Sequence, residues 1–372
     1  MRILVDYRPA LRARTGVGEY IHALVHAYTA AYDDAVTVFT SSWKDRPPPS
    51  LASELRARVI DRRVPVSLLN YLWHRTEWPP VEALTGAEVD VVHAAHPLLI
   101  PSKSAAQLVT IHDLFFLTRP SHTRGEVRRD YPLLAASHAR RADGVITSSA
   151  HTRALVSERF GVAPDRIYVC PPGAPSWHTL GAAPNVPQDG YILFLGTLEP
   201  RKNVGVLLDA YTRLVEQSAN APRLVIAGSP TADAAEWLDR VSREPLKAYV
   251  TYKGYVADTD RETLYAGARA LVLPSLDEGF GLTALEAMSA GVPVLASTRG
   301  SLPEVVGTGG VLLDPGDAGA WASAIHRLAS DPQWAEDLGR AGLERARAFT
   351  WRLTAIRLHT AYQDAIRRRK ER

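Results

Sequence analysis

The sequence predicts an α/β protein with two parallel β-sheets, each covered by helices on both faces. The chain has 372 residues, more than a single hydrophobic core usually accommodates. Short apolar runs alternate with segments of helical periodicity along most of the chain, a pattern typical of parallel strands joined by crossover helices. A Pro- and Gly-rich stretch at residues 171–187 follows neither period. We therefore expect two Rossmann-like domains that are separated near this stretch.

The apolar runs identify candidate strands in each half of the chain. Those of the first half are residues 3–6, 36–39, 89–93, 108–111, 144–147 and 167–170. Those of the second half are residues 191–195, 224–227, 250–253, 270–273, 292–295 and 310–313. Segments such as 18–31 and 149–160 have helical spacing and connect the strands. Because doubly wound sheets bind ligands beyond the carboxyl ends of their strands, two facing domains would enclose a cleft.

The predicted domain boundaries follow from these patterns. Residues 1–172 form the N-terminal domain, 173–189 a linker and 190–350 the C-terminal domain. After about residue 317 the pattern is purely helical, and it ends in a helix at 351–372. A terminal helix of that length would pack back toward the N-terminal domain.

Composition excludes several classes of protein. A hydrophobic content of 46% against 22% charged residues is that of an ordinary globular protein, and a net charge of +3 is too small to indicate a nucleic-acid partner. The single cysteine, Cys170, lies in an apolar run and is expected to be a small buried hydrophobe in a reducing cytoplasm. No apolar stretch approaches the length of a membrane span, and residues 1–6 resemble a first strand more than a signal peptide.

Two glutamates, Glu278 and Glu286, follow one strand of the second half. The apolar run 268–274 predicts that strand. The glycines of Gly279-Phe280-Gly281 predict a turn, and the spacing of apolar residues at 282–290 predicts a helix. Glu278 would lie in the loop after the strand, and Glu286 about one turn into the helix. Since the free N–H groups of a helix N-terminus attract phosphate, the arrangement predicts a site for a phosphorylated polyol. The neighbours of Glu286 are apolar or small, so burial of its carboxylate requires a ligand or a basic partner.

Two cations, Arg201 and Lys202, follow the strand at 191–195 and precede a helix that begins near Asn203. At the carboxyl end of a strand they would converge on a diphosphate and neutralise charge on the leaving phosphate. The alternative is a solvated basic turn.

Four motifs together resemble the retaining glycosyltransferases of family GT4. They are the loop at 15–20 (TGVGEY), the strand end at 110–114 (TIHDL), the strand and loop at 195–203 (LGTLEPRKN), and the two glutamates at 278 and 286. The resemblance implies a GT-B fold, a nucleotide-sugar donor bound mainly by the C-terminal domain and an acceptor bound mainly by the N-terminal one. Within the family, the segment 112–120 resembles the corresponding segment of the bacterial mannosyltransferases of O-antigen synthesis.

The resemblance also implies roles for individual residues. The catalytic candidates are His112, Arg201, Lys202 and Glu278. The donor-binding candidates are Gly16, Val17, Gly18, Gly196, Arg201, Lys202, Glu278, Gly279, Phe280, Gly281, Leu282, Thr283 and Glu286. The acceptor-binding candidates are Thr15, His112, Asp113 and Arg119.

Several of these roles have a chemical interpretation. Glu286 would accept hydrogen bonds from the ribose hydroxyls, and Glu278 from hydroxyls of the donor sugar. The resemblance places His112 near the donor sugar and its reacting centre. A general-base role is less favoured, because retention of configuration places the acceptor on the same face as the departing phosphate. Structural alternatives remain open: Asp113 as a turn cap, Glu278 as a helix cap, Glu286 in a salt bridge, and the glycines at 16 and 18 in an ordinary turn.

The reaction that the resemblance implies is transfer of a hexose, with mannose from GDP-mannose favoured, to a saccharide or lipid-linked saccharide in polysaccharide synthesis. The alternatives are a UDP-sugar donor, a phosphorylase or epimerase on the same fold, and a non-catalytic nucleotide-sugar binder. No cofactor is expected, and no His/Cys cluster has metal-ligand spacing. Asp258-Thr-Asp260 resembles a metal-binding motif, but Thr259 to Glu262 predicts a capping box instead.

Basic residues cluster at 119–124, 128–129, 140–141 and 367–370. Phe115, Phe116 and Leu117 lie beside the first cluster. These patterns favour a polyprenyl-linked acceptor and peripheral contact with an anionic membrane, at the inner face of the cell membrane. The alternative is solvated helix faces.

Overall fold

The computed structural model describes residues 1–12, 16–118, 125–218 and 220–372. These residues divide into two compact units. Unit 1 comprises Met1–Gly173 and Thr350–Arg372, and unit 2 comprises Ala174–Phe349. None of the helices within these ranges is long and apolar enough to cross a membrane.

In the described part of unit 1, the strands form one parallel sheet in the order β3-β2-β1-β4-β5-β6-β7. The strands are β1 (Arg2–Asp6), β2 (Ala35–Ser41), β3 (Arg58–Arg62), β4 (Val91–Ala94), β5 (Ala106–Ile111), β6 (Gly144–Thr147) and β7 (Ile167–Val169). The helices are α1 (Pro9–Arg12), α2 (Val17–Ala31), α3 (Leu51–Glu54), α4 (Val66–Thr76), α5 (Val81–Thr85), α6 (Phe115–Thr118), α7 (Gly125–Arg141) and α8 (Ala150–Phe160). The predicted strands of this half are confirmed, within two residues at most ends.

β3 is a strand that the sequence analysis did not predict. Its sequence, RVIDR, carries charged residues at both ends, and only Ile60 is fully buried. The strand lies at the edge of the sheet, where one side has no neighbouring strand. Because both of its ends are charged and only its central residue is buried, β3 lacks the continuous apolar run by which the central strands were identified.

The core of unit 1 lies on both faces of its sheet. Along β1, Ile3 and Val5 are buried on the α2 side, whereas Leu4 is buried on the other side with Phe39. This alternation follows from the two-residue period of a strand. Cys170 is fully buried in the first of these clusters, and burial raises the pKa of its thiol to about 12. Its expected role as a small buried hydrophobe is confirmed.

In the described part of unit 2, the strands form a second parallel sheet in the order β10-β9-β8-β11-β12-β13. The strands are β8 (Tyr191–Leu195), β9 (Leu224–Ala227), β10 (Val250–Gly254), β11 (Ala268–Leu273), β12 (Val294–Ser297) and β13 (Val311–Leu313). The helices are α9 (Val204–Gln217), α10 (Ala235–Val241), α11 (Arg261–Ala266), α12 (Leu282–Ser289), α13 (Leu302–Val306), α14 (Ala318–Ser330) and α15 (Pro332–Ala346). All six predicted strands of this half are present.

The Pro- and Gly-rich stretch after β7 packs against unit 2. The indole Nε1 of Trp177 donates to Ser289 Oγ (2.9 Å), and the backbone N–H of Asn185 donates to the carbonyl of Gly291 (2.8 Å). The side-chain amide of Asn185 also donates to the carbonyl of Tyr265 (3.0 Å). From Ala174 onward, the segment that the sequence suggested as a linker is therefore part of the second unit.

The last helix, α16 (Trp351–Lys370), belongs to unit 1, where it packs against α2 and the sheet. Thr350 caps it by accepting a hydrogen bond from the backbone N–H of Leu353. Tyr362 is fully buried, and its hydroxyl lies 2.8 Å from Nδ1 of His93 in β4. Fully buried Ala355, Ala361 and other small side chains of α16 allow this close approach.

Candidate active site

Two loops of unit 2 meet at the carboxyl edge of its sheet. One follows β8 and contains Arg201 and Lys202 in a short 3₁₀ turn, Pro200–Lys202. The other follows β11 and contains Glu278. Because β8 and β11 are hydrogen-bonded neighbours in a parallel sheet, their carboxyl ends lie side by side. The topology thus brings together residues that are 76 positions apart in sequence.

Glu278 is paired with both cations. Lys202 Nζ lies 2.5 Å from Glu278 Oε1, and Arg201 Nη1 lies 3.0 Å from Oε2. Ser275 Oγ also donates to Oε1 at 2.8 Å. Glu278 and Lys202 are buried, with 6% and 8% of their surfaces exposed. Arg201 contacts a second carboxylate, that of Glu199, at 2.7 Å.

This ion pair keeps Glu278 ionised. Burial by itself raises the pKa of its carboxyl, but the charges of Lys202 and Arg201 and the hydrogen bonds from Lys202 and Ser275 have the larger combined effect. Together they lower the pKa of Glu278 to about 2. At neutral pH the side chain is therefore a carboxylate that can accept hydrogen bonds.

The backbone fixes the position of both loops. The N–H of Leu276 donates to the carbonyl of Arg201 (2.7 Å), which joins one loop to the other. Asn203 has a left-handed backbone (φ 55°), and its amide donates to the carbonyls of Pro274 (3.0 Å) and Pro315 (2.8 Å). On the other side, the N–H and hydroxyl of Ser301 both donate to the carbonyl of Glu278.

The turn between Glu278 and α12 has the predicted form. Gly281 has φ 97°, which favours glycine, and a Cβ there would lie 2.8 Å from a methyl group of Leu302. Phe280 is buried against Phe349, with ring centroids 5.7 Å apart. The first N–H groups of α12, which include those of Leu282 and Thr283, have no earlier helical carbonyl to bond, so they form a potential anion-binding site beside Glu278.

Glu286 lies in the second turn of α12 and is buried with 9% of its surface exposed. Arg261 Nη1 lies 2.5 Å from its Oε1, and the Tyr265 hydroxyl donates to Oε2 at 2.7 Å. The basic partner that burial requires is therefore present, and the salt-bridge alternative for this residue is realised. Burial nevertheless raises the pKa of Glu286 above its usual value, although Arg261 and Tyr265 act in the opposite direction.

Gly196 lies directly after β8, beside the ion pair. A Cβ at this position would lie 3.4 Å from Cε and 3.6 Å from Nζ of Lys202. Gly228, after the neighbouring β9, has no room for a Cβ because the carbonyl of Gly196 occupies that space. The glycine at 196 therefore leaves the Lys202 side chain free to reach Glu278.

The remaining described candidates lie in unit 1. Gly16 precedes α2 with φ 54°, and Val17 and Gly18 begin the helix. His112 follows β5, and its ring packs edge-on against Tyr20 with centroids 4.9 Å apart. Its Nε2 is buried and has no hydrogen-bond partner among the described residues. Burial lowers the pKa of His112 to about 4, so the imidazole is neutral at pH 7.

Asp113 caps a turn, as the structural alternative suggested. Its Oδ1 accepts a hydrogen bond from the N–H of Phe115 at the start of α6 (3.1 Å). Thr15 and Arg119, both acceptor-binding candidates, lie outside the described residues, as does the rest of the basic cluster at 119–124.

The predicted capping box before α11 is wrong. Asp260 precedes the helix, and no side chain caps its N-terminus. Glu262 instead accepts hydrogen bonds from the N–H groups of Thr179 (2.5 Å) and Leu180 (3.3 Å), in the stretch that packs against unit 2. Asp258, from the motif that resembled a metal ligand, lies 3.2 Å from Arg261 Nε. For Glu262, tertiary partners thus take the place of the predicted local hydrogen bonds.

The sequence analysis did not identify three residues that complete the site, Ser275, Arg261 and Tyr265. Ser275 lies in the loop that contains Glu278, so its position was a usable signal. Arg261 and Tyr265 reach Glu286 from α11, and their contact depends on how α11 and α12 pack. No spacing in the sequence links them to Glu286.

Several residues of the predicted basic surface form hydrogen bonds or ion pairs within the protein. Arg368 donates to the Tyr168 hydroxyl (2.6 Å) and contacts Asp165, whereas Arg367 pairs with Asp364 on its own helix. Arg140 and Arg141 lie at the end of α7 and are exposed, but Arg140 donates to the carbonyl of Phe160 and Arg141 pairs with Glu77. The tail charges therefore belong to an ordered helix that extends to Lys370.

Comparison with known proteins agrees with this architecture. Residues 14–176 match the model of Glycosyltransferase Family 4, and residues 189–331 match the model of Glycosyl transferases group 1. The chain is 31% identical to O-antigen chain mannosyltransferase B of Escherichia coli, over 98% of this chain and 100% of that protein. It is a glycosyltransferase that belongs to family GT4.

Solved structures show the same fold at lower sequence identity. Sucrose-phosphate synthase from Thermosynechococcus elongatus superposes with a TM-score of 0.74 at 24% identity, over 98% of both chains. Anabaena HepE in complex with UDP and glucose superposes with a TM-score of 0.67 at 19% identity, over 97% of this chain and 98% of that one. The two parallel sheets and these likenesses identify the GT-B fold.

Proposed function

We propose that this protein is a retaining hexosyltransferase, which transfers a hexose from a nucleoside diphosphate to a hydroxyl of a saccharide or lipid-linked saccharide. The observation that carries this proposal is the pairing of Lys202 and Arg201 with Glu278 beside the N-terminus of α12. It combines two cations, a carboxylate and helix N–H groups at one edge of a sheet. A nucleotide sugar offers the complementary groups, a diphosphate and several hydroxyls.

Lys202 and Arg201 would bind the diphosphate without releasing Glu278. An ammonium group has three N–H donors and a guanidinium has five, so each cation can contact a carboxylate and a phosphate together. When the bond between the sugar C1 and the phosphate oxygen breaks, negative charge grows on the leaving diphosphate. Cations held in place near that charge lower the barrier by about 3 kcal/mol for each strong contact.

The two glutamates would hold the sugars of the donor. Because Glu278 stays ionised, it is an acceptor for hydroxyl groups of the hexose and a poor proton donor. Glu286 would accept the ribose hydroxyls on lone pairs that Arg261 and Tyr265 leave available, since a carboxylate offers about four such positions. Neither glutamate needs to form a covalent bond with the sugar.

The mechanism we favour is front-side displacement. The C1–O bond to the phosphate breaks while the acceptor oxygen bonds to C1 on the same face, and the acceptor proton passes to the departing phosphate. Configuration is then retained, and neither a cofactor nor a metal ion is required. In unit 1, His112 offers a neutral ring nitrogen for a sugar hydroxyl, and Thr15, Gly16, Asp113 and Arg119 are the further candidates for substrate binding.

For the donor we favour mannose from GDP-mannose. Support comes from the E. coli relative, which is named a mannosyltransferase and matches along the whole chain. The alternative is a UDP-sugar, because the structure of Anabaena HepE contains UDP and glucose. We further propose that the enzyme acts in the cytoplasm in cell-surface polysaccharide synthesis, and that its exposed basic residues contact an anionic membrane surface at a lipid-linked acceptor.

Calorimetric titration of GDP and of UDP would test the donor site. We expect one nucleotide to bind to the wild type and to bind at least tenfold more weakly to Lys202→Met. Addition of the matching nucleotide sugar and an acceptor should then give a product whose anomeric configuration, measured by NMR, equals that of the donor. Tight nucleotide binding without transfer to any acceptor would instead indicate a non-catalytic binder, and an inverted product would contradict the mechanism.

A further inference from the structure

Unit 1 contains a basic pocket that shares no residue with the candidate donor site of unit 2. It has a volume of about 630 Å³, and the charged residues that line it are Lys103, Arg140, Arg141, Arg369, Arg372 and Glu77. Pockets of this size accommodate small organic ligands. Five cations and one carboxylate line a single cavity in a chain whose net charge is only +3.

The pocket lies at the amino edge of the unit 1 sheet. Lys103 precedes β5, Gln107 in its wall is the second residue of β5, and Arg141 lies three residues before the start of β6. His112 follows the other end of β5. A parallel strand rises about 3.3 Å per residue, so the pocket and His112 are about 16 Å apart along the strand. The pocket therefore lies at the opposite edge of this sheet from His112, the candidate substrate-binding residue that follows β5.

Internal contacts neutralise only part of this charge. Arg141 forms a bidentate pair with Glu77 (2.6 and 2.7 Å), and Arg372 lies 3.1 Å from the buried carboxylate of Asp143. The side chains of Lys103 and Arg369 form no hydrogen bond or ion pair within the described ranges. Two cations thus face the cavity without a protein partner.

Simple capping of helix ends does not account for the cluster. Arg140 donates to the carbonyl of Phe160 (3.0 Å) and Arg372 to that of Arg141 (3.3 Å), so these two side chains do satisfy backbone groups. The C-terminal ends of α7 and α16 each contribute only about half a negative charge. Burial lowers the pKa of the neighbouring Arg166, and the charge of Arg372 lowers it further, which is consistent with a positive local potential.

We propose that this pocket binds a phosphate-bearing group at a site separate from the donor site. Guanidinium groups match the geometry of phosphate oxygens, and convergent cations bind phosphate more strongly than isolated ones. The ligand is either a soluble phosphorylated molecule or the headgroup of an anionic phospholipid. Occupancy would hold α7 and α16, which carry three of the five cations, in contact with the same anion.

Calorimetric titration with inorganic pyrophosphate tests the pocket. The test variant is Lys103→Gln with Arg369→Gln, which removes the two cations without a protein partner. The matched control is Lys253→Gln with Arg352→Gln, which removes one exposed lysine and one exposed arginine elsewhere. Because pyrophosphate would also bind the proposed donor site, each pair is combined with Lys202→Met. We expect Lys202→Met alone and the control variant to bind pyrophosphate at the pocket with similar Kd. The pocket variant should bind it at least tenfold more weakly.

Sedimentation with vesicles of phosphatidylcholine that contain about 30% phosphatidylglycerol distinguishes a lipid headgroup from a soluble phosphorylated ligand. If the ligand is a lipid headgroup, the wild type sediments with these vesicles and the pocket variant does so several-fold less than the control. If it is soluble, pyrophosphate binding depends on the pocket and vesicle binding does not. Equal behaviour of the pocket and control variants in both assays would overturn the proposal, and it would leave the donor site untouched.

Discussion

Lys202 and Glu278 form a buried ion pair, with Nζ 2.5 Å from Oε1, between loops that follow two neighbouring strands. A buried charge without a partner is costly, so each residue stabilises the other only as long as both are present. Arg201 and Ser275 complete the cluster. The pair thus links the stability of the fold to the geometry of the candidate donor site.

Removing one member of the pair should destabilise the protein more than removing both. We expect Lys202→Met to lower the free energy of unfolding by about 3 kcal/mol, because Glu278 loses its closest countercharge. The double variant Lys202→Met with Glu278→Gln should recover part of that loss. Urea denaturation monitored by circular dichroism would compare the three proteins. A single variant as stable as the double would show that Glu278 without Lys202 carries no penalty, contrary to this expectation.

The same carboxylate should make stability depend on acidity. The pKa of Glu278 is about 2 in the folded protein and near 4.5 when unperturbed. Its contribution is therefore fully present above about pH 4.5 and is lost as the pH falls toward 2, for a total of about 3 kcal/mol. The difference in unfolding free energy between the wild type and Glu278→Gln should shrink across this window. A difference that stays constant from pH 6 to pH 3 would contradict the folded-state pKa.

Glu286→Gln should weaken nucleotide binding. The substitution keeps the shape of the side chain but removes the charge that would hold the ribose, which is worth about 1.4 kcal/mol or a tenfold increase in Kd. Glu236→Gln, an exposed change on α10, is the matched control. Calorimetry with the preferred nucleotide would measure both. Unchanged affinity in Glu286→Gln would assign this carboxylate to the salt bridge with Arg261 alone.

His112 should act as a neutral hydrogen-bonding group. Since burial lowers its pKa to about 4, we expect no inflection from this residue in the kcat profile between pH 5.5 and 8. His112→Ala should reduce kcat by about 10- to 100-fold through loss of a hydrogen bond in the active site, and His112→Gln should reduce it less. An inflection near pH 6.5 that disappears in His112→Gln would mean that the imidazole titrates during turnover.

Sugar transfer should continue in the presence of EDTA. Arg201 and Lys202 would supply the positive charge at the diphosphate that a divalent cation supplies in metal-dependent transferases. The rate of product formation with and without chelator measures this directly. Loss of activity in EDTA and its recovery with Mg²⁺ or Mn²⁺ would refute a metal-independent mechanism. In that case Asp258 and Asp260 would be the first residues to substitute.

Periodicity was sufficient to predict most of the fold. The central strands of both sheets are buried on two faces, so their sequences are continuous apolar runs with clear ends. β3 was missed because its sequence, RVIDR, is charged at both ends and contains no such run. The capping box before α11 was wrong because Glu262 finds stronger partners in the backbone of Thr179 and Leu180, more than 80 residues away in the sequence.

The sequence alone determined the succession of most strands and helices along the chain, the turn at Gly281 and the identity of the charged residues at the strand ends. These features are local, since they depend on the conformational freedom of glycine and on side-chain periods. Only the tertiary structure determined which charges meet. Glu278 pairs with Lys202 because β8 and β11 are neighbours, and Glu286 pairs with Arg261 because α11 packs beside α12. Strand order and helix packing arise from burial of apolar surface over the whole unit, which no local motif encodes.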